Sequence, residues 1–187
     1  ACFRHLRDLQ RQGESDFPYV YSIEAFNRFL KFLSLVPNVD DLSQKLEPMD
    51  WQYFIFAQLF AWFDLDNVPR FSNIIISIAR SQGKTMIAGI CLNFSYLIEI
   101  IGQSNQDFLV SSLNFDQTMK LFTYVKSMMA RIIENEPFKS LADETQLQLY
   151  SREIKSLVDA NTIHTISFES GKFDGKHFKL AVADEVG

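Results

Sequence analysis

Two short stretches of this sequence carry residue types and spacings suited to work on a phosphate ester. The first is Ile78-Ala79-Arg80-Ser81-Gln82-Gly83-Lys84-Thr85, where a small polar turn runs into Gly-Lys-Thr. Backbone N–H groups of such a turn can converge on an anion, and the helix that follows adds partial positive charge at its N-terminus. In that geometry Gly83 lets the backbone approach closely, with Ser81 and Gln82 lining the cradle. Lys84 would reach the β- and γ-phosphates of ATP, and the Thr85 hydroxyl would ligate Mg²⁺. Measured against G-x-x-x-x-G-K-[ST], the first glycine position holds Ile78, so the match is partial. The bland alternative is a helix start at which Lys84 is simply solvated.

The second stretch is Leu180-Ala181-Val182-Ala183-Asp184-Glu185, an apolar run ending in two carboxylates. Asp184 at a strand tip can hold Mg²⁺, usually through water, and Glu185 can polarise a water that attacks the γ-phosphate. Strands also end in acidic residues that only face solvent, so this run alone is weak. The two stretches lie 100 residues apart (184 minus 84), in the order and local context that a nucleotide site requires.

Elements must position these groups. Asn73 to Ile78 is a short β-branched run that reads as a buried strand before the phosphate loop, and Lys84 to Ile101 reads as the apolar helix after it. A second strand is expected over Asp107 to Ser112, then a long helix capped by Asp116 and carrying Met119, Phe122, Val125, Met129, Ile132 and Ile133. Leu147–Leu149, Ile154–Val158, Thr162–Phe168 and Phe178–Ala183 read as short strands. Upstream, Cys2 to Gln12, a helix from Ser22 to before Pro37 with Ser22 as N-cap, and Asp50 to Phe63 all show helical spacing. Strands alternating with helices predict an α/β fold, a P-loop NTPase with a mainly parallel sheet flanked by helices and incomplete at its C-terminus. The expected organisation is a helical lead-in over residues 1–50 and a partial ATPase domain over 51–187.

Composition sets outer bounds. With 47% hydrophobic and 22% charged residues, the 187-residue chain is ordinary for one globular domain, and disorder is not expected. A net charge of -5 gives no overall basic field, which neither supports nor excludes a DNA partner. Cys2 and Cys91, like His5, His164 and His177, are scattered without metal-ligand spacing, so no structural zinc site is expected. Met86 to Ile101 is interrupted by Asn93, Ser95 and Glu99 and is too short for a membrane span. The chain starts at Ala1 with no apolar signal core, and its true N-terminus is expected to lie further upstream.

The loop Ala79 to Thr85 resembles the deviant phosphate loop of phage terminase large subunits, which often lacks the first glycine and carries an Arg inside the loop. Leu46-Glu47-Pro48-Met49-Asp50-Trp51-Gln52, with Phe54 and Phe60-Ala61-Trp62, looks like that family's adenine-recognising segment; the resemblance implies that Gln52 contacts the adenine edge. It also implies that Arg80 senses or stabilises the γ-phosphate as a cis arginine finger. Ser111 to Gln117, Ser170 to Gly175 and the opening around Phe17-Pro18-Tyr19 are similar to further family segments, so the likeness covers nearly the whole chain.

What the resemblance implies is a motor that hydrolyses ATP to drive double-stranded DNA into a procapsid. Its expected partners are the portal protein, the small terminase subunit and further copies of itself in a ring. No membrane is expected, and the expected location is the host cytoplasm, docked on the procapsid. In this ATPase class a further strand belongs between the phosphate-loop strand and the acidic strand. The chain as it stands is therefore expected to have exposed edges and weak or no turnover. Two alternatives stay open: another P-loop nucleic-acid translocase or helicase-like ATPase, and an inactive prophage fragment.

Overall fold

The computed structural model describes residues 2–170 and 177–184, and Glu185 together with most of the Ser170 to Gly175 segment lies outside them. The chain divides into two compact units, one made of residues 1–34 and 47–77, the other of 35–46 and 78–187.

The first unit is helical. Helix α1 spans Cys2–Gln10, α2 Ile23–Leu33 and α3 Asp50–Phe60, and two-residue strands β1 (Val20–Tyr21) and β2 (Trp62–Phe63) pair antiparallel. Ser22 starts α2 as expected, with extended backbone and its Oγ accepting from the Ala25 N–H at 3.0 Å. Phe29 of α2 meets Phe56 and Phe60 of α3 with ring centroids 4.9 Å apart. Around the wholly buried Trp62, Arg70 pairs with the buried Asp8 of α1 at 2.8 Å. Its guanidinium lies 4.6 Å from the ring centre of Phe17, 4.8 Å from Phe71, 5.2 Å from Trp62 and 5.4 Å from Tyr19. His5 completes the cluster, edge-on to Tyr21, Phe54 and Trp62, with Nδ1 3.0 Å from Gln58 Nε2.

One expectation fails here. The run Asn73 to Ile78 forms no strand; it is irregular, with Ile75 95% exposed. A β-branched run becomes a strand only when another strand satisfies its N–H and C=O groups, and none does so among the described residues.

The second unit holds the sheet. Its strands are β3 (Asp107–Ser112), β4 (Leu147–Leu149), β5 (Glu153–Ser156), β6 (Thr162–Thr165) and β7 (Leu180–Asp184), in the order β4-β5-β6-β3-β7. The three strands β6, β3 and β7 run parallel, while β4 and β5 form an antiparallel hairpin along one side. Helices α4 (Lys84–Phe94) and α5 (Phe115–Ile132) pack together against the parallel strands, and α6 (Phe138–Thr145) precedes the hairpin. The fold is thus α/β with helices against a largely parallel sheet, as its alternating pattern predicted.

The helix expected to run from Lys84 to Ile101 changes character: α4 ends at Phe94 and passes into a π-helical turn over Ser95–Glu99. There the Ser95 hydroxyl bonds the Glu99 carboxylate. The cap of α5 is also corrected. Asn114, in extended backbone, accepts from the Gln117 N–H at 3.0 Å, while Asp116 sits inside the first turn. Asn93, wholly buried within apolar α4, donates to the carbonyls of Gly89 at 2.8 Å and Val125 at 3.3 Å. Gly89 faces α5, where Met128 and Tyr124 come within 3.4 Å of where a Cβ would stand. No helix among the described residues is long and apolar enough to cross a membrane.

Candidate functional site

The loop before α4 is shaped by two left-handed residues, Ser81 at φ 60° and Gly83 at φ 78°. Gly83 tolerates this conformation because it has no Cβ; Ser81 occupies it against its preference. Backbone that alternates into the left-handed region turns neighbouring N–H groups toward a common side, the arrangement found in anion-binding concavities. Gly83 is also the N-cap of α4 and offers no capping side chain. The helical bonding at this end includes Ile87 N–H to Gly83 C=O at 2.9 Å, so the N–H groups of the first turn lie beyond its ladder. The first turn carries no acidic residue that would compete for them. Lys84 and Thr85 open the helix half-buried, as are Gln82 and Gly83, while Arg80 and Ser81 are exposed.

Asp184 is the last residue of β7 and sits level with Ser112, the last of β3. Its backbone carbonyl accepts a 2.6 Å hydrogen bond from the Ser112 hydroxyl. Ser112 is buried, and two residues later Asn114 begins α5, so strand end, acidic tip and helix start are joined in one small framework. The Asp184 side chain is half-buried.

Topology relates the two stretches. Residues 100–106 form a short connection from the π turn after α4 to β3, so helix and strand run in opposite directions. Because β3 and β7 are parallel and α4 packs on β7, the start of α4 lies at the sheet edge where β3 and β7 end. Lys84, Thr85 and Asp184 therefore belong to the carboxyl-end edge, the edge at which open α/β sheets bind ligands.

Gln52 belongs to the first unit. It is buried in the opening turn of α3, where its Oε1 accepts the Met49 N–H at 2.8 Å, so the side-chain oxygen closes the helix start. Glu185 falls outside the described residues. The residue that sequence reasoning passed over is Ser112. A small hydroxyl at a strand end just before an Asx cap was the available signal.

Among the described residues no three His, Cys, Asp or Glu side chains gather as a metal site. Nucleotide-bound Mg²⁺ needs few protein donors, because phosphate oxygens and water fill most of its shell. A hydroxyl such as that of Thr85 and a carboxylate such as that of Asp184 are the hard oxygen donors it takes.

Comparison with known proteins adds two findings. The family model of the terminase large subunit ATPase domain matches residues 50–187. The fold is similar to the crystal structure of the HK97 bacteriophage large terminase, with a TM-score of 0.61 and 18% identity, over 86% of this chain and 31% of that one. At that identity the likeness speaks for the fold, and this chain spans 31% of that protein's length. Comparison with curated proteins gives no match.

Proposed function

Since this chain belongs to the terminase large subunit ATPase domain family, we propose that it binds and hydrolyses ATP with Mg²⁺ as part of a motor that drives double-stranded viral DNA into a procapsid. The observation that carries this reading is the shared sheet edge. A loop bent by left-handed Ser81 and Gly83 leads into a helix start without a side-chain cap, at the same sheet edge as the strand end bearing Asp184.

In this proposal the first-turn N–H groups of α4 and the loop backbone hold the phosphates, and Lys84 adds its positive charge to the β- and γ-oxygens. Thr85 and Asp184 hold the metal, Asp184 through water. Arg80, exposed in the loop, turns inward on the γ-phosphate and offsets charge that builds on it during transfer. Glu185 orients the attacking water and accepts its proton. When bound, Mg²⁺ supplies charge neutralisation across the β- and γ-phosphates. Gln52 receives the adenine edge through its amide while its Oε1 keeps the α3 cap. Portal protein, small terminase subunit, a ring of copies and a place on the procapsid in the host cytoplasm follow as further parts of the same proposal.

Binding of a fluorescent ATP analogue tests the site. Lys84→Ala should abolish binding or turnover, and Glu185→Gln should keep binding while losing hydrolysis in a protein that turns over. Binding unchanged in Lys84→Ala would sink the phosphate-loop assignment.

A further inference from the structure

The sheet edge away from Asp184 carries a cavity of about 340 Å³ that the nucleotide proposal does not use. It lies beneath the connection into β3, between the π turn, α6 and the ends of the hairpin strands. Leu97, Ile100, Leu141 and Leu147 give it apolar walls. Two carboxylic residues, Glu144 and Asp159, stand at its lining, and its rim exposes Ile101 by 61% and Val158 by 59%. Tyr96, whose hydroxyl donates to the Asn161 carbonyl at 3.0 Å, and Leu97 are part of this wall because the chain widens into a π turn there. Such turns are rare and recur at functional sites. An apolar hollow edged by carboxylates fits an apolar anchor flanked by cations.

The first unit presents that chemistry. One face of α1 is engaged through His5 and Asp8. The outward face exposes Phe3 by 90% and Leu6 by 57%, one helical turn apart. Arg4 and Arg7 stand beside them on the same exposed side, with no ion pair to any described residue. Two apolar anchors and two cations match an apolar hollow and two carboxylates.

We propose that α1 of one copy docks into the acidic-rimmed apolar cavity of a second copy, Phe3 and Leu6 entering the hollow while Arg4 and Arg7 face Glu144 and Asp159. The two surfaces are different patches of one chain, so the contact is head-to-tail and builds a ring where the rotation closes. It specifies the contact of the ring proposed above and rests on that reading.

Sedimentation velocity of the purified protein over a concentration series tests it. Arg4→Glu with Arg7→Glu, and separately Glu144→Lys with Asp159→Lys, should each weaken self-association roughly tenfold or more. In an equal mixture of the two variants the unchanged α1 meets the unchanged cavity at one contact and the two reversed surfaces meet at the next, so the mixture should regain assembly that neither variant shows alone, and the variant with all four changes should assemble again. Because the Asp159 carboxylate also accepts from the Ser156 hydroxyl at 3.5 Å, Glu144→Lys alone serves as the variant that leaves that turn intact. A ring that forms undiminished in both reversal variants overturns this contact and leaves the ring reading standing; a wild-type protein that stays monomeric throughout overturns both. Loss of ATP-analogue binding alongside charge-dependent assembly would refute the nucleotide site alone.

Discussion

Replacing Arg70 with Ala removes the cation from the centre of the first unit. Asp8 is 2% exposed, and its partner's side chain is 13% exposed, so the pair is cut off from solvent. Breaking a buried pair by deleting one partner costs about 3 to 5 kcal/mol, because the remaining charge is stranded. Four aromatic rings within 5.4 Å of the guanidinium lose their cation at the same time. Against this, Arg70 Nη1 and Trp62 Nε1 are buried without a partner among the described residues, which makes the intact cluster less favourable than its contacts suggest. The loss should be on the order of 4 kcal/mol, a large part of a domain's stability. Urea unfolding followed by the fluorescence of the buried Trp62 reads it. Arg131→Ala, which breaks the exposed Arg131–Glu134 pair, serves as the control and should cost no more than about 1 kcal/mol. In a double-mutant cycle, Asp8→Ala should recover part of the Arg70→Ala loss. An Arg70→Ala loss no larger than the Arg131→Ala loss would refute the claim that this pair holds α1 in place.

Burial of His5 pushes its pKa below the usual histidine value, with Arg70 adding to the fall and Asp8 opposing it. The unfolded chain therefore binds the proton more readily, so stability should decline as pH drops below about 6.5, and His5→Gln should flatten that slope in a thermal-shift series. Asn93 leaves its Oδ1 buried without a partner among the described residues. Asn93→Leu, which removes donor and orphan together, should change stability by less than about 1 kcal/mol, whereas Asn93→Asp should lose several times that in urea titration. Gly89→Ala should be neutral or stabilising by up to about 1 kcal/mol, since the added methyl only touches Met128 and Tyr124 and glycine is a poor helix former. Gly89→Leu should instead force α4 from α5 and cost about 1 to 3 kcal/mol in the same assay.

Local chemistry was legible where a residue acts on its own backbone. Ser22 caps α2, Gly83 bends into α4, and Leu147–Leu149 forms the strand its alternation predicted. What failed depends on distant partners. The run from Asn73 has strand composition yet finds no neighbouring strand among the described residues, and no local signal could announce that. Trp62 and Phe63 form β2 only because Val20 and Tyr21 lie alongside, and two residues are too short for a periodicity to register. Helix α6 carries little local signal, because Pro137 at its N-cap makes no side-chain bond and the helix is only eight residues long. Asn114 and Asp116 are both competent caps, and the extended backbone at Asn114 decided between them. For the site, residue types pointed to Lys84, Thr85 and Asp184; that α4 and β7 meet at one edge needed the strand order, in which β3 lies between β6 and β7.

The hydroxyl of Ser112 has a mechanical consequence. It grips the Asp184 peptide at the end of β7 and stands two residues before the cap of α5. The bond thereby joins the strand tip to the root of an 18-residue rod, about 27 Å long at 1.5 Å per residue. The strand tip and the start of that rod are thus tied by a single hydrogen bond, donated by a serine to a carbonyl.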